Sequence, residues 1–185
     1  YRGLTLPLVG TYQPRNAALA VTVLECLRTK GYHITDTDIA AGLAEVKWPG
    51  RFEVLSRAPV FILDGAHNPH GIAATAKSLE THFNGRKIIF LVGVMADKDV
   101  ARMAACIQPL AKCFVTVRPD NPRAMEADQL AALLDRSETP AVACKDIESG
   151  VAKVLELSAP DDVICALGSL YFSGDVRKAV EKLLK

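Results

Sequence analysis

From residue 60 onward, short apolar runs alternate with longer amphipathic stretches, and this alternation constrains the fold more than any other feature. The runs lie at 60–63, 88–94, 113–117, 141–144 and 163–167, and they are rich in Val, Ile and Leu. Each is too short for a buried helix, and most are apolar throughout rather than at every second residue. Strands of that kind belong to sheets covered on both faces. Between them, apolar residues recur at helical spacing, which predicts helices over 69–83, 99–110, 126–135, 147–157 and 175–184. Connections of that length permit parallel pairing. The short link Arg57-Ala58-Pro59 permits only antiparallel pairing between a strand at 51–56 and the one at 60–63. The expected fold is therefore α/β: a Rossmann-like, mainly parallel sheet with helices on both faces and an antiparallel edge strand.

Before residue 48 the pattern differs. Residues 4–9 read as a short strand. Pro14 opens a helix carrying Ala17, Ala20, Val21, Leu24 and Leu27, with Gly31 as its stop. A second helix starts after Thr35 or Thr37 and places Ile39, Leu43 and Val46 on one face. One strand and two helices bury too little to fold alone, so this segment is expected to pack on something outside the chain. The start Tyr1-Arg2-Gly3-Leu4 lacks an initiator Met and reads as a cut point. Trp48-Pro49-Gly50 breaks the pattern and sets the expected boundary between 1–47 and 48–185.

In an open parallel sheet, ligands bind beyond the carboxyl ends of the strands. The loops there are 64–68, 95–99, 118–123 and 168–171, and they gather Asp, His, Lys, Arg and Ser on one side. The opposite loops, 84–86 and 158–161, read as plain turns. In the first carboxyl-edge loop, Asn68 is a good N-cap and Pro69 fits the first helical turn. Asp64 and His67 thus lie between a strand end and a helix N-terminus, where anions settle. A structural alternative stands beside each role. Asp64 can hold its own turn, Asn16 can stabilise a helix entry, Arg51 can be a strand-edge cation, and Lys98 and Ser169 can be solvated loop residues. Tyr171 and Phe172 read as packing residues.

Composition narrows the classes. A net charge of +1 on 185 residues gives no electrostatic footprint for nucleic acid or an acidic membrane. The five cysteines form no CxxC pair, which fits a reducing cytoplasm and gives no sign of zinc. No apolar run is long enough to span a bilayer. Neither GxGxxG nor GxxxxGK[ST] occurs, so the chain has no dinucleotide fingerprint and no P-loop.

Two segments, Trp48-Pro49-Gly50-Arg51-Phe52-Glu53 and Ile62-Leu63-Asp64-Gly65-Ala66-His67-Asn68-Pro69, carry a specific resemblance. They resemble the folylpolyglutamate synthase/dihydrofolate synthase family of the Mur ligase superfamily. Gly10-Thr11-Tyr12-Gln13-Pro14-Arg15-Asn16-Ala17 looks like the segment closing that family's central ATPase domain, although Tyr12 stands where the family often has His. Asp97-Lys98-Asp99, Asn121-Pro122-Arg123 and Gly168-Ser169-Leu170-Tyr171 fall where the family has similar stretches. The resemblance implies an ATP-dependent ligase of folate and one-carbon metabolism. Such an enzyme phosphorylates the carboxylate of a folate or dihydropteroate, and the L-glutamate amine then attacks the acyl phosphate. It implies that residues 1–47 are the tail of the central ATP-binding domain and 48–185 the carboxyl-terminal domain. ATP and Mg2+ are the implied cofactors, with the P-loop, magnesium ligands and a modified lysine in the central domain upstream. By resemblance Asn16 contacts adenine, Arg51 the phosphates and Asp64 the ribose. His67 is the implied catalytic residue, facing the phosphates or the incoming glutamate, and Asn68, Lys98 and Ser169 contact substrate. A Mur peptidoglycan ligase fragment and a stand-alone Rossmann-like binding module are the competing readings.

Without a phosphate-cradling loop of its own, the purified chain is expected neither to hydrolyse ATP nor to join glutamate to folate. A phosphate-release assay checks this; robust turnover with contaminating ligases excluded would overturn it.

Overall fold

The computed structural model describes residues 1–184, which fall into two compact units, Tyr1–Pro49 and the described residues from Gly50 onward. In the first, α1 (Gln13–Thr29) has Pro14 in its first turn, where no amide hydrogen is needed, and α2 (Asp36–Glu45) follows. Of the two candidate threonines, Thr35 caps α2. Its side chain accepts from the Asp38 amide, and the Asp38 carboxylate accepts from Thr35 N, forming a capping box. Val46 lies just past the helix as its C-cap. The strand expected at 4–9 does not form. The segment is irregular and pairs with no other strand among the described residues. Pro7 also lacks the amide a ladder would use.

The second unit is a six-stranded sheet in the order β1-β2-β6-β3-β4-β5. The strands are β1 (Glu53–Arg57), β2 (Val60–Leu63), β3 (Ile88–Val92), β4 (Ala111–Thr116), β5 (Ala141–Ala143) and β6 (Val163–Leu167). All neighbours are parallel except β1, which pairs antiparallel with β2 at the edge. Helices α3 (Pro69–His82), α4 (Val100–Ile107), α5 (Ala127–Leu134), α6 (Ile147–Glu156) and α7 (Ser173–Leu183) complete it. One face of the sheet buries Ile72, Leu79, Met103, Ile107, Leu130 and Leu134 of α3–α5. The other buries Val151, Val154, Val176 and Val180 of α6 and α7. A sheet covered on both sides has no solvated face, which is why its central strands read as unbroken apolar runs.

Several boundaries differ from the sequence reading, among them those of β3 (read as 88–94) and β4 (read as 113–117) and the three that follow. The helix expected at 99–110 stops at Ile107 and tightens into a 3-10 turn over Gln108–Leu110. Pro109 lacks an amide hydrogen and its ring crowds the preceding turn. The first strand begins at Glu53 rather than residue 51, because Gly50 and Phe52 take left-handed backbone conformations, φ 71° and φ 48°. Helix α7 starts at Ser173, before Asp175. No helix among the described residues is long and apolar enough to cross a membrane.

Strand β3 is central and buried at every residue, whereas α1 leaves Leu19 at 66% and Val23 at 51% exposure. Amides of β3 should therefore exchange with deuterium only through global unfolding, and those of α1 through cheaper local opening. Equal protection of the two in a hydrogen-exchange experiment would overturn this.

Candidate functional site

Asp64 directly follows β2 and is 1% exposed. Its Oδ1 accepts from Ala66 N at 2.8 Å, closing an Asx turn, and its Oδ2 accepts from Phe52 N at 3.0 Å. The same loop is tied to the turn before β1 by Gly65 N donating to Gly50 O at 2.7 Å. That turn presents Arg51 between two left-handed residues. For Phe52, with a β-carbon and a large ring, the conformation costs on the order of 1–3 kcal/mol and persists only where surroundings over-determine it. Here the Phe52 ring is buried at 1% exposure and its amide is held by Asp64. Glu53 supplies another tie. Its carboxylate accepts Gly50 N at 2.7 Å and both Arg177 nitrogens at 2.6 and 2.5 Å. The Arg177 fork holds the Glu53 carboxyl below the usual carboxylate range, with the Gly50 amide adding to it.

The loops after β2, β6 and β3 are knitted edge to edge. Gly168 N donates to Ala66 O at 2.8 Å, and Gly93 N to Leu167 O at 3.3 Å. Gly168 has φ 113°, and a β-carbon there would stand 2.5 Å from Gly93 O, so only glycine fits. Further along the edge, Ala96 N donates to Arg123 O at 2.8 Å and Met125 N to Val94 O at 3.0 Å, joining the loops after β3 and β4.

These loops enclose a cavity of about 440 Å³ lined by His67, Met95, Lys98, Arg123, Ser169, Leu170 and Tyr171. His67 Nδ1 lies 2.8 Å from Gly65 O. A carbonyl can only accept, so Nδ1 carries the proton and, on the neutral ring, Nε2 is the acceptor. Ser169 is 1% exposed and its Oγ accepts from Tyr171 N at 3.0 Å, which leaves its hydroxyl proton to donate. Lys98 Nζ lies 3.1 Å from Asp97 Oδ2, and Arg123 Nη1 lies 4.0 Å from the same oxygen. The Lys98 ammonium holds the Asp97 carboxyl below its usual value, with Arg123 adding a smaller pull. Two cations against one carboxylate leave this side of the cavity net positive, matched to an anionic ligand.

Of the residues singled out in the sequence, the structure brings His67, Lys98 and Ser169 together. Arg51 and Asp64 lie at the adjoining turn. Asn68 is exposed and caps α3, its Oδ1 accepting from Gly71 N at 2.8 Å. Asn16 belongs to the first unit, where its Nδ2 donates to Gln13 Oε1 at 3.1 Å. Tyr171 corrects the sequence reading: it is 58% exposed on the cavity wall, while its neighbour Phe172 is fully buried. Arg123 carried no assigned role, although the polar loop 121–123 at the carboxyl edge was the signal for it. Met95 and Leu170 gave no chemical signal. Among the described residues, no group of three or more His, Cys, Asp or Glu side chains is placed to hold a metal ion.

A family model described as Mur ligase, glutamate ligase domain, matches residues 50–170. The chain is 31% identical over 183 residues to the dihydrofolate synthase/folylpolyglutamate synthase of Bacillus subtilis, covering 98% of this chain and 42% of that one. It superposes with TM-score 0.87 and 28% identity on Mycobacterium tuberculosis folylpolyglutamate synthase complexed with ADP and AMPPCP, covering 97% of this chain and 42% of that one. It also superposes, with TM-score 0.79 and 29% identity, on a bifunctional folylpolyglutamate synthase/dihydrofolate synthase with Mn, AMPPNP and L-glutamate bound, covering 100% of this chain and 42% of that one. The chain thus spans less than half the length of these relatives.

The Glu53–Arg177 pair carries a pH signature. Because the folded Glu53 carboxyl is lowered, its stabilisation is fully present above the unfolded carboxylate value of about 4.3 and is lost as pH falls through the folded value. Both side chains are about a quarter exposed, which discounts the pair to about 1 kcal/mol. Glu53→Gln should therefore lower Tm by about 2–4 °C near pH 7. The gap to the unsubstituted protein should narrow toward pH 3. A gap constant with pH in thermal melts would show that the ionised pair contributes nothing.

Proposed function

Since this chain belongs to the Mur ligase, glutamate ligase domain family, we propose that it is the carboxyl-terminal region of an ATP-dependent ligase joining L-glutamate to folate or dihydropteroate. The observation that carries the reading is the convergence of His67, Lys98, Arg123 and Ser169 on one cavity at the carboxyl edge of the sheet. Residues 48–185 form the amino-acid-binding domain, and residues 1–47 the tail of a central ATP-binding domain on which they pack. The relatives with ADP, AMPPCP or AMPPNP, Mn and L-glutamate support this choice of ligands. They favour a folate ligase over a peptidoglycan ligase or a stand-alone binding module.

In this reading the γ-phosphoryl of ATP moves to the terminal carboxylate of the pteridine substrate and ADP leaves. The L-glutamate amine attacks the acyl carbon, and the tetrahedral intermediate expels phosphate to leave the amide. Mg2+, when bound by ligands expected in the central domain upstream, would supply neutralisation of phosphate charge. Lys98, Arg123 and the Ser169 hydroxyl bind the glutamate carboxylates. Met95, Leu170 and Tyr171 cover its methylenes. His67 accepts from the amine through Nε2 and is positioned to take its proton during attack. Asn68, engaged through Oδ1, retains its amide donors for substrate. Arg51 offers forked donors to the ATP phosphates. Asp64, which accepts from Phe52 N and Ala66 N within the protein, is assigned to a ribose hydroxyl. Asn16 serves the adenine. The five cysteines are all unpaired, the state a reducing cytoplasm maintains, which supports the cytoplasm as the proposed compartment.

Steady-state kinetics on the complete ligase test the reading. Lys98→Met removes a charged hydrogen bond worth about 1.5–3 kcal/mol and should raise KM for L-glutamate about tenfold to a hundredfold, leaving KM for ATP in place. Arg51→Ala should lower turnover on the order of a hundredfold, as loss of a phosphate clamp does. Unaltered kinetics in both variants, each folded by its melting profile, would overturn the assignment.

A further inference from the structure

We propose that Arg177 is a positioning residue for Arg51: by orienting Glu53 it locks the Gly50–Phe52 turn and so sets where the Arg51 guanidinium is presented. The inference rests on the reading of Arg51 as the phosphate-binding cation, and it adds the device that aims it.

Arg51 sits between Gly50 at φ 71° and Phe52 at φ 48°; glycine takes its conformation freely, but that of Phe52 persists only where its surroundings hold it. Three of the ties come from the strand pair and its loop: Phe52 N to Asp64 Oδ2, Gly65 N to Gly50 O, and the buried Phe52 ring. The fourth is Gly50 N donating to Glu53 Oε2 at 2.7 Å. That tie differs in origin, because the Glu53 carboxylate is itself aimed by both arms of the Arg177 fork, from α7, 124 residues away in sequence. Glu53 keeps about a quarter of its side chain in solvent. Without Arg177 it has a route to water, and Gly50 N loses its acceptor. The ionised carboxylate is favoured, since the Arg177 fork lowers the Glu53 carboxyl below its usual value. Helix α7 also follows directly on the loop that lines the cavity with Ser169 and Tyr171.

A stability staple alone would have a different signature, so the test is a double-mutant cycle in the complete ligase. Arg177→Met should lower kcat/KM for ATP about tenfold to a hundredfold, the scale of an ångström-sized misplacement, with KM for L-glutamate unmoved. Combined with Arg51→Ala it should add nothing further. Arg177→Lys, which keeps the charge but not the fork, should restore part of the loss. Additive effects of Arg177→Met and Arg51→Ala would overturn the proposal. Hydrogen exchange on the 185-residue chain separates the device from the reading it rests on. Arg177→Met should speed exchange at the Gly50 amide more than within β3, and unchanged exchange there would overturn the clamp. Faster Gly50 exchange together with an inert Arg51→Ala would uphold the clamp and reject the phosphate role of Arg51.

Discussion

The carboxylate of Asp64 is the interaction on which the rest of the site depends. It is buried, so its charge must be met by donors, and it finds them in the backbone amides of Phe52 and Ala66. Removing such an acceptor leaves buried donors unpaired, which costs more than the bond itself contributes. One side chain thereby holds both the loop that carries His67 and the turn that carries Arg51. Beneath it, burial pushes the Cys165 thiol well above its usual value and the Asp64 carboxylate adds to the shift. The sulfur is therefore a small apolar filler rather than a nucleophile.

Parallel strands place all of their carboxyl ends on one edge, and the order β2-β6-β3-β4 makes neighbours of loops far apart in the chain. Hydrogen bonds that continue past the strand ends keep those loops in fixed register. Gly168 N to Ala66 O and Val117 N to Val92 O are two of them. A rim tied in this way can hold a small ligand in one orientation. The net positive charge from Lys98 and Arg123, tempered by Asp97, supplies the attraction. The Ser169 and His67 geometries supply direction.

Much of this architecture was legible from residue types alone. The strand runs, the antiparallel first pair, the Asn68 cap and the carboxyl-edge loops follow from local rules of period, capping and connection length. So did His67, Lys98 and Ser169 as site candidates, because they stand at strand ends. The segment 4–9 was misread because strand propensity means little without a neighbouring strand to pair with. Tyr171 was misread because a single-residue difference decides which of two adjacent aromatics faces the core, and Phe172 took that place.

The sequence by itself determined the layers, since periodicity reports which faces are buried, and it determined the chemistry available at the strand ends. Tertiary structure alone decided which of those groups meet. Arg123 joins Lys98 only because β4 lies beside β3 and their loops bond to each other. Glu53 meets Arg177 only because the helix after β6 returns past the edge pair. Asp64 turned out to brace two segments at once, a fact fixed by the register of β1 on β2. Such pairings are non-local: they depend on strand order and register, which residue spacing along one stretch of chain does not encode.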